Sequence, residues 1–148
     1  MAAQKPIHQA GLALQLQELR QTQRDLVQQG LALIRQWNDT FPRGTTSFRL
    51  ARLSGESNTL LRWRRTSDAN RTRGHRFELV DQPTLLDALP EAVRPRVLDF
   101  EDRRIRLNYE HAIATYRMQR LQELLRRRDA LAQLRRPATL PDRSPCRT

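Results

Sequence analysis

Leu12, Leu16, Leu19, Leu26, Leu33 and Trp37 recur at alternating spacings of four and three, with Gln23 and Gly30 at the two positions that would complete the series. An apolar stripe of that period is one face of a helix, so residues 10–37 are read as a single amphipathic α-helix that must bury its stripe against another element. Asn38, Pro42 and Gly44 then concentrate residues that leave helices. Beyond Gly44 the period changes to two. Phe48 and Leu50 alternate within 45–53, Leu61 and Trp63 alternate with Arg62 and Arg64 within 59–66, and Phe77 and Leu79 alternate with Arg76 and Glu78 within 75–80. Each run is a half-buried strand, separated from the next by turn or loop chemistry at 54–58 and 67–74. The expectation is a three-stranded antiparallel meander over 45–80, which needs helices packed on one face to be stable.

The rest of the chain, 84–136, reads as helical. Thr84 and Asp87 suit a short helix that stops at Pro90, and Pro95 suits the first turn of a long one. Asp99, Glu101 and Asp102 lie near its start and Arg126, Arg127, Arg128, Arg135 and Arg136 near its end, which matches both poles of the helix dipole. Its apolar stripe is read as Ile105, Tyr109, Ala112 and Tyr116, drifting through Met118 to Leu121, Leu124, Leu125, Leu131 and Leu134. Pro137 ends the helix, and 137–148 is expected to be a flexible tail. The fold class is therefore α+β: one domain over 1–136, with an N-terminal helix, a three-stranded antiparallel meander and a long C-terminal helix packed on the sheet. The leucine-rich stripes exceed what one small sheet can cover, which suggests a homodimer.

Composition narrows the function. The 148 residues carry a net charge of +11 and are 38% hydrophobic, too apolar for a purely disordered chain. No uncharged apolar run approaches the roughly 18 residues that cross a bilayer, and the first residues lack the apolar core of a secretory signal, so the expected location is the cytoplasm. The only cysteine, Cys146, leaves no internal disulfide and no cysteine-based zinc site. His8, His75 and His111 are far apart in the chain, and no phosphate-binding glycine loop, dinucleotide turn or His-Glu-x-x-His occurs. Glu101 with Asp102, and Glu110 with His111, are neighbours on a helix. Neighbours there point about 100° apart, so neither pair makes an acid–base dyad. A non-enzymatic protein without metal or cofactor is the expectation. Pro90 and Pro95 also interrupt the helices that a helix-turn-helix over 84–110 would need.

The positive charge comes from 26 arginines and one lysine, Lys5. That ratio has two readings: selection for the guanidinium fork, or the coding bias of a G+C-rich genome. Coding bias does not account for the net excess, and the excess is local. Residues 43–76 hold nine arginines against Glu56 and Asp68, a net of +7 out of +11. The long helix interleaves its arginines with acids at helical spacing, the pattern of a solvated face. The candidate nucleic-acid-binding residues are accordingly Arg49, Arg52, Arg62, Trp63, Arg64, Arg65, Arg71, Arg73 and Arg76. Trp63 has two competing roles. Flanked by arginines it can stack on a base, whereas its shared parity with Leu61 makes it a core anchor beneath the sheet. In either case the arginines contact phosphates, which gives affinity without sequence reading. The expected partner is nucleic acid, with DNA favoured over RNA. The alternative is a protein–protein adaptor whose helical stripe or basic face engages an acidic partner, such as the tail of a single-strand-binding protein.

Gly44-Thr45-Thr46, Leu61-Arg62-Trp63-Arg64, and the stretch from Pro90 to Leu98 leading into Glu101, Arg104-Ile105 and Leu107-Asn108 resemble an uncharacterised family. That family is carried by integrative and conjugative elements and plasmids of proteobacteria, and some of its members bear the label "integrase regulator". The resemblance spans about residues 44–110 and departs from the pattern in the extra polar loop at 67–74. It implies an accessory protein of a mobile element, with a role in regulation or transfer, and carries over no catalytic residue.

Overall fold

The structure is a computed structural model, and it describes residues 9–53, 59–66 and 77–138. The fold is α+β. Helix α1 spans Gln9–Thr40, strands β1 (Phe48–Arg52) and β2 (Leu61–Arg65) form an antiparallel pair, a short helix α2 spans Pro83–Asp87, and helix α3 spans Arg94–Leu134. Arg103 Nη2 donates to Gln36 Oε1 at 2.7 Å near one end of the helix pair, and Gln23 Nε2 donates to Thr115 Oγ1 at 3.1 Å farther along. The two long helices therefore run antiparallel. No described helix is long and apolar enough to cross a membrane.

The stripe on α1 faces inward as its spacing predicts. Leu12, Leu26, Leu33 and Trp37 are buried, and both interruptions of the series have a physical purpose. Gln23 bonds Thr115 across the helix interface. Gly30 lets the chain at Leu60 approach α1: a Cβ at position 30 would lie 3.0 Å from Leu60 Cδ2. Gly30→Ala is expected to be near neutral, because the gain of about 1 kcal/mol in helix propensity offsets a shift of one leucine methyl. Gly30→Val should cost about 1–3 kcal/mol by overpacking, and thermal melting of the two variants checks the contrast. The helix runs to Thr40, three residues beyond its expected end, with the Thr40 hydroxyl donating to Gln36 O at 2.7 Å. Gly44, at φ 90°, then completes the turn toward the sheet.

The strands alternate as expected, with Phe48, Leu50, Leu61 and Trp63 buried beneath the sheet. Trp37 is the hub of the core, its ring centroid 4.4 Å from Phe41, 4.9 Å from Trp63 and 5.2 Å from Phe100. Among the described residues, the expected third strand is reduced to one antiparallel bridge, Phe77 to Trp63. After it the chain enters a 3-10 turn at Leu79–Asp81, and Pro83, which lacks an N–H, opens α2. Leu79 drops into the core at this turn. What replaces the strand comes from α3. Leu53 N donates to Leu60 O and Thr66 N to Ser47 O, both at 3.0 Å, so the even-numbered residues of β2 bond to β1. Leu61 therefore turns its backbone groups away from β1. The Asn108 side chain meets them there, with Oδ1 accepting from Leu61 N and Nδ2 donating to Leu61 O, both at 2.8 Å.

Helix α3 departs from its expected stripe. Val97, Phe100, Glu101, Arg104, His111, Ala114, Thr115 and Leu121 are buried, whereas Ile105, Tyr109 and Tyr116 are 52%, 67% and 60% exposed. The buried face is partly charged and polar, because its groups satisfy one another and the edge of β2. Apolarity alone therefore selects the wrong side of this helix. Of the expected tail, residues 139–148 lie outside the described residues, as do the turn at 54–58, the loop at 67–74, and His75 and Arg76.

Candidate nucleic-acid interface

The register of the sheet settles which arginines share a face. Arg49 lies opposite Arg64 and Ala51 opposite Arg62, so three guanidinium side chains and one small residue make up the face turned away from the core. Arg49, Arg62 and Arg64 are half-buried, and Arg52 and Arg65 at the strand ends are exposed. A half-buried arginine of this kind lays its aliphatic stem on the sheet and holds its head at the surface. Arg49 shows the arrangement, its Nε shielded from water without a hydrogen bond among the described residues. Arg65 stands at the strand end with its guanidinium carbon 6.0 Å from the centroid of the Phe77 ring.

Further arginines lie at both ends of β1. At one end Arg49 joins Arg43, Asn38, Thr46 and Thr66 around a cavity of about 270 Å³. At the other, Arg52 joins Arg24, Gln28, His111 and Gln122 around an open groove of about 760 Å³ between α1 and α3. Arg43 and Arg49 thus meet at one end of β1, whereas Arg52, on the parity of Phe48 and Leu50, lies with Arg24 on the helix side of the sheet. Arg43 and Arg24 were not among the candidates read from the sequence. Arg43 lies within the strongly basic segment, but its approach to Arg49 depends on the turn at Gly44, and Arg24 is brought to Arg52 only by packing.

Of the nine candidates, the structure brings Arg49, Arg62 and Arg64 onto one face, while Arg52 and Arg65, exposed at the strand ends, have the opposite parity, that of Leu50 and Trp63. Arg71, Arg73 and Arg76 lie outside the described residues. Trp63 does not belong to the surface. Its side chain is 0% exposed and its Nε1 donates to Glu101 Oε2 at 2.6 Å, so the indole anchors the sheet from below and offers no ring to a base.

Beneath the face, α3 fixes β2 through three polar side chains. Glu101 accepts from Trp63 and also from Arg104 Nε at 2.7 Å, and Arg104 extends to Glu78. Arg104 Nη1 lies 3.4 Å from Leu61 O, beside the Asn108 amide. The observed role of Glu101, Arg104 and Asn108 is to position the strand that bears Arg62 and Arg64. Comparison of the chain with protein families, with curated proteins and with solved structures finds no match in any of the three.

Proposed function

We propose that this chain binds nucleic acid through the arginine face of its β-hairpin, mainly by phosphate contacts, as an accessory or regulatory protein of a mobile genetic element. The observation that carries the reading is the register that sets Arg49, Arg62 and Arg64 together on the outward face of a two-stranded sheet. Like charges placed directly opposite one another oppose strand pairing, and a polyanion laid across them turns that repulsion into attraction. With Trp63 in the core, the face has no described aromatic platform, so the binding is expected to be salt-dependent and tolerant of sequence. The mobile-element context rests on the resemblance over residues 44–110. DNA is the favoured substrate and the cytoplasm the corresponding location.

Arg62→Glu combined with Arg64→Glu is expected to abolish the mobility shift of DNA oligonucleotides at low salt. Each single Arg→Ala change should reduce the slope of log K against log salt by about one. Unchanged binding by the double variant, with its circular dichroism intact, overturns the reading. A titration of single- and double-stranded DNA and RNA identifies the substrate.

The second reading, an adaptor for an acidic protein segment, draws on the groove between α1 and α3. Arg24 and Arg52 flank amide and apolar side chains there, a lining that suits an acidic peptide tail. Competition separates the two readings. Oligonucleotide should displace a ligand from the sheet face and leave a peptide in the groove untouched.

A further inference from the structure

Helix α3 is apolar on two sides, and only one of them faces α1 and the sheet. On the other, Leu98, Ile105 and Ala112 repeat every seven residues, and Asp102, Tyr109 and Tyr116 repeat every seven residues four positions later. Leu98 is 45% exposed, Ile105 52%, Tyr109 67% and Tyr116 60%. The alternating four-and-three spacing is that of a helix–helix seam, and no described element covers it.

We propose that the seam pairs with the same seam of a second copy, antiparallel, about a two-fold axis passing between positions 110 and 111. The order of residues along the helix carries the orientation and the choice of occupant. Around that axis Ile105 meets Tyr116 of the second copy, and Tyr109 meets Ala112, so the two layers nearest the axis set a large side chain against a small one. Toward each end Asp102 comes beside Arg120 of the second copy, and Leu98 approaches Leu124, which is 42% exposed. A parallel copy would instead set Asp102 against Asp102 and Tyr109 against Tyr109. The tyrosine hydroxyls remain at the rim of the antiparallel seam, where water reaches them. The apolar surface left open on the two copies is on the order of 1,000 Å², enough for a specific interface. The inference stands apart from the nucleic-acid reading, because α3 presents this seam on a face that carries none of the hairpin arginines.

Sedimentation velocity on the full chain tests it. The chain is expected to sediment as a dimer at micromolar concentration, and Tyr109→Arg should make it a monomer with unchanged circular dichroism, since the side chain is 67% exposed in one copy. Asp102→Arg and Arg120→Asp should each raise the dimer dissociation constant about tenfold, and the two together should bring it back. A monomer at every concentration up to about 100 micromolar, a dimer indifferent to Tyr109→Arg, or a double swap no better than the single ones overturns the proposal.

Discussion

Arg104→Met is expected to lower folding stability by about 3–5 kcal/mol, the usual cost of removing one partner from a buried ion pair. Arg104 is 4% exposed, and it meets Glu101 with two bonds, Nε to Oε2 at 2.7 Å and Nη2 to Oε1 at 3.0 Å. Burial pulls the guanidinium pKa down, but the hydrogen bond and charge of Glu101, followed by those of Glu78, outweigh it and hold the pKa above its ordinary value. The group is thus firmly cationic inside the protein. Without it, Glu101 is left 8% exposed with Trp63 Nε1 as its remaining hydrogen-bond partner among those described. The cost comes from that stranded carboxylate. Adding Glu101→Gln to Arg104→Met should therefore recover most of the loss, because the glutamine oxygen still accepts from Trp63 and no charge stays buried. Urea unfolding of the two single variants and the double variant gives the coupling energy. A double variant as unstable as the sum of the singles would show that Arg104 acts through packing and not through the pair.

This network also explains why the sequence discloses some parts of the fold more readily than others. The face of α1 was legible from its leucine series, but the roles of its two gaps, Gln23 bonding Thr115 and Gly30 admitting Leu60, depend on packing. The inward side of β2 was legible from the parity of Leu61 and Trp63, which also favoured the core role of Trp63 that the structure shows. The inward side of α3 was not. Its buried positions include Glu101, Arg104, His111 and Thr115, residues that periodicity assigns to solvent, while Ile105, Tyr109 and Tyr116 form a regular stripe that points outward. A helix with two usable faces cannot be oriented by apolarity alone. The third strand failed for a related reason. Alternation at Phe77 and Leu79 is real, but a single bridge suffices because side chains from α3 occupy the edge that the rest of a strand would have paired. For the candidate site, alternation grouped Arg62 with Arg64, but the pairing of Arg49 with Arg64 depends on register, and the approach of Arg43 to Arg49 depends on tertiary packing.

Asn108→Leu is the second large effect, expected to cost about 3 kcal/mol, because it removes the amide partner of three backbone groups at once and leaves Leu61 O only the longer bond from Arg104. Asn108 Oδ1 accepts from Leu60 N at 3.1 Å and from Leu61 N at 2.8 Å, while Nδ2 donates to Leu61 O at 2.8 Å. A primary amide presents one acceptor and one donor side by side, the same pair that a neighbouring strand would offer, so this one side chain closes the edge of β2 at Leu61. Leucine fills a similar volume and supplies neither. Asn108→Asp separates the two functions. It keeps the acceptor for the two N–H groups but turns an oxygen toward Leu61 O, and about half of the loss, roughly 1–2 kcal/mol, is expected. Hydrogen exchange localises the effect. In Asn108→Leu the Leu61 amide should lose protection well before the amides of Arg62 and Arg64, whose backbone groups bond to β1. Equal loss at all three would mean that the whole hairpin is released when the amide is removed. In that event Asn108 on α3 also governs how the arginine face is held, and nucleic-acid affinity should fall together with stability.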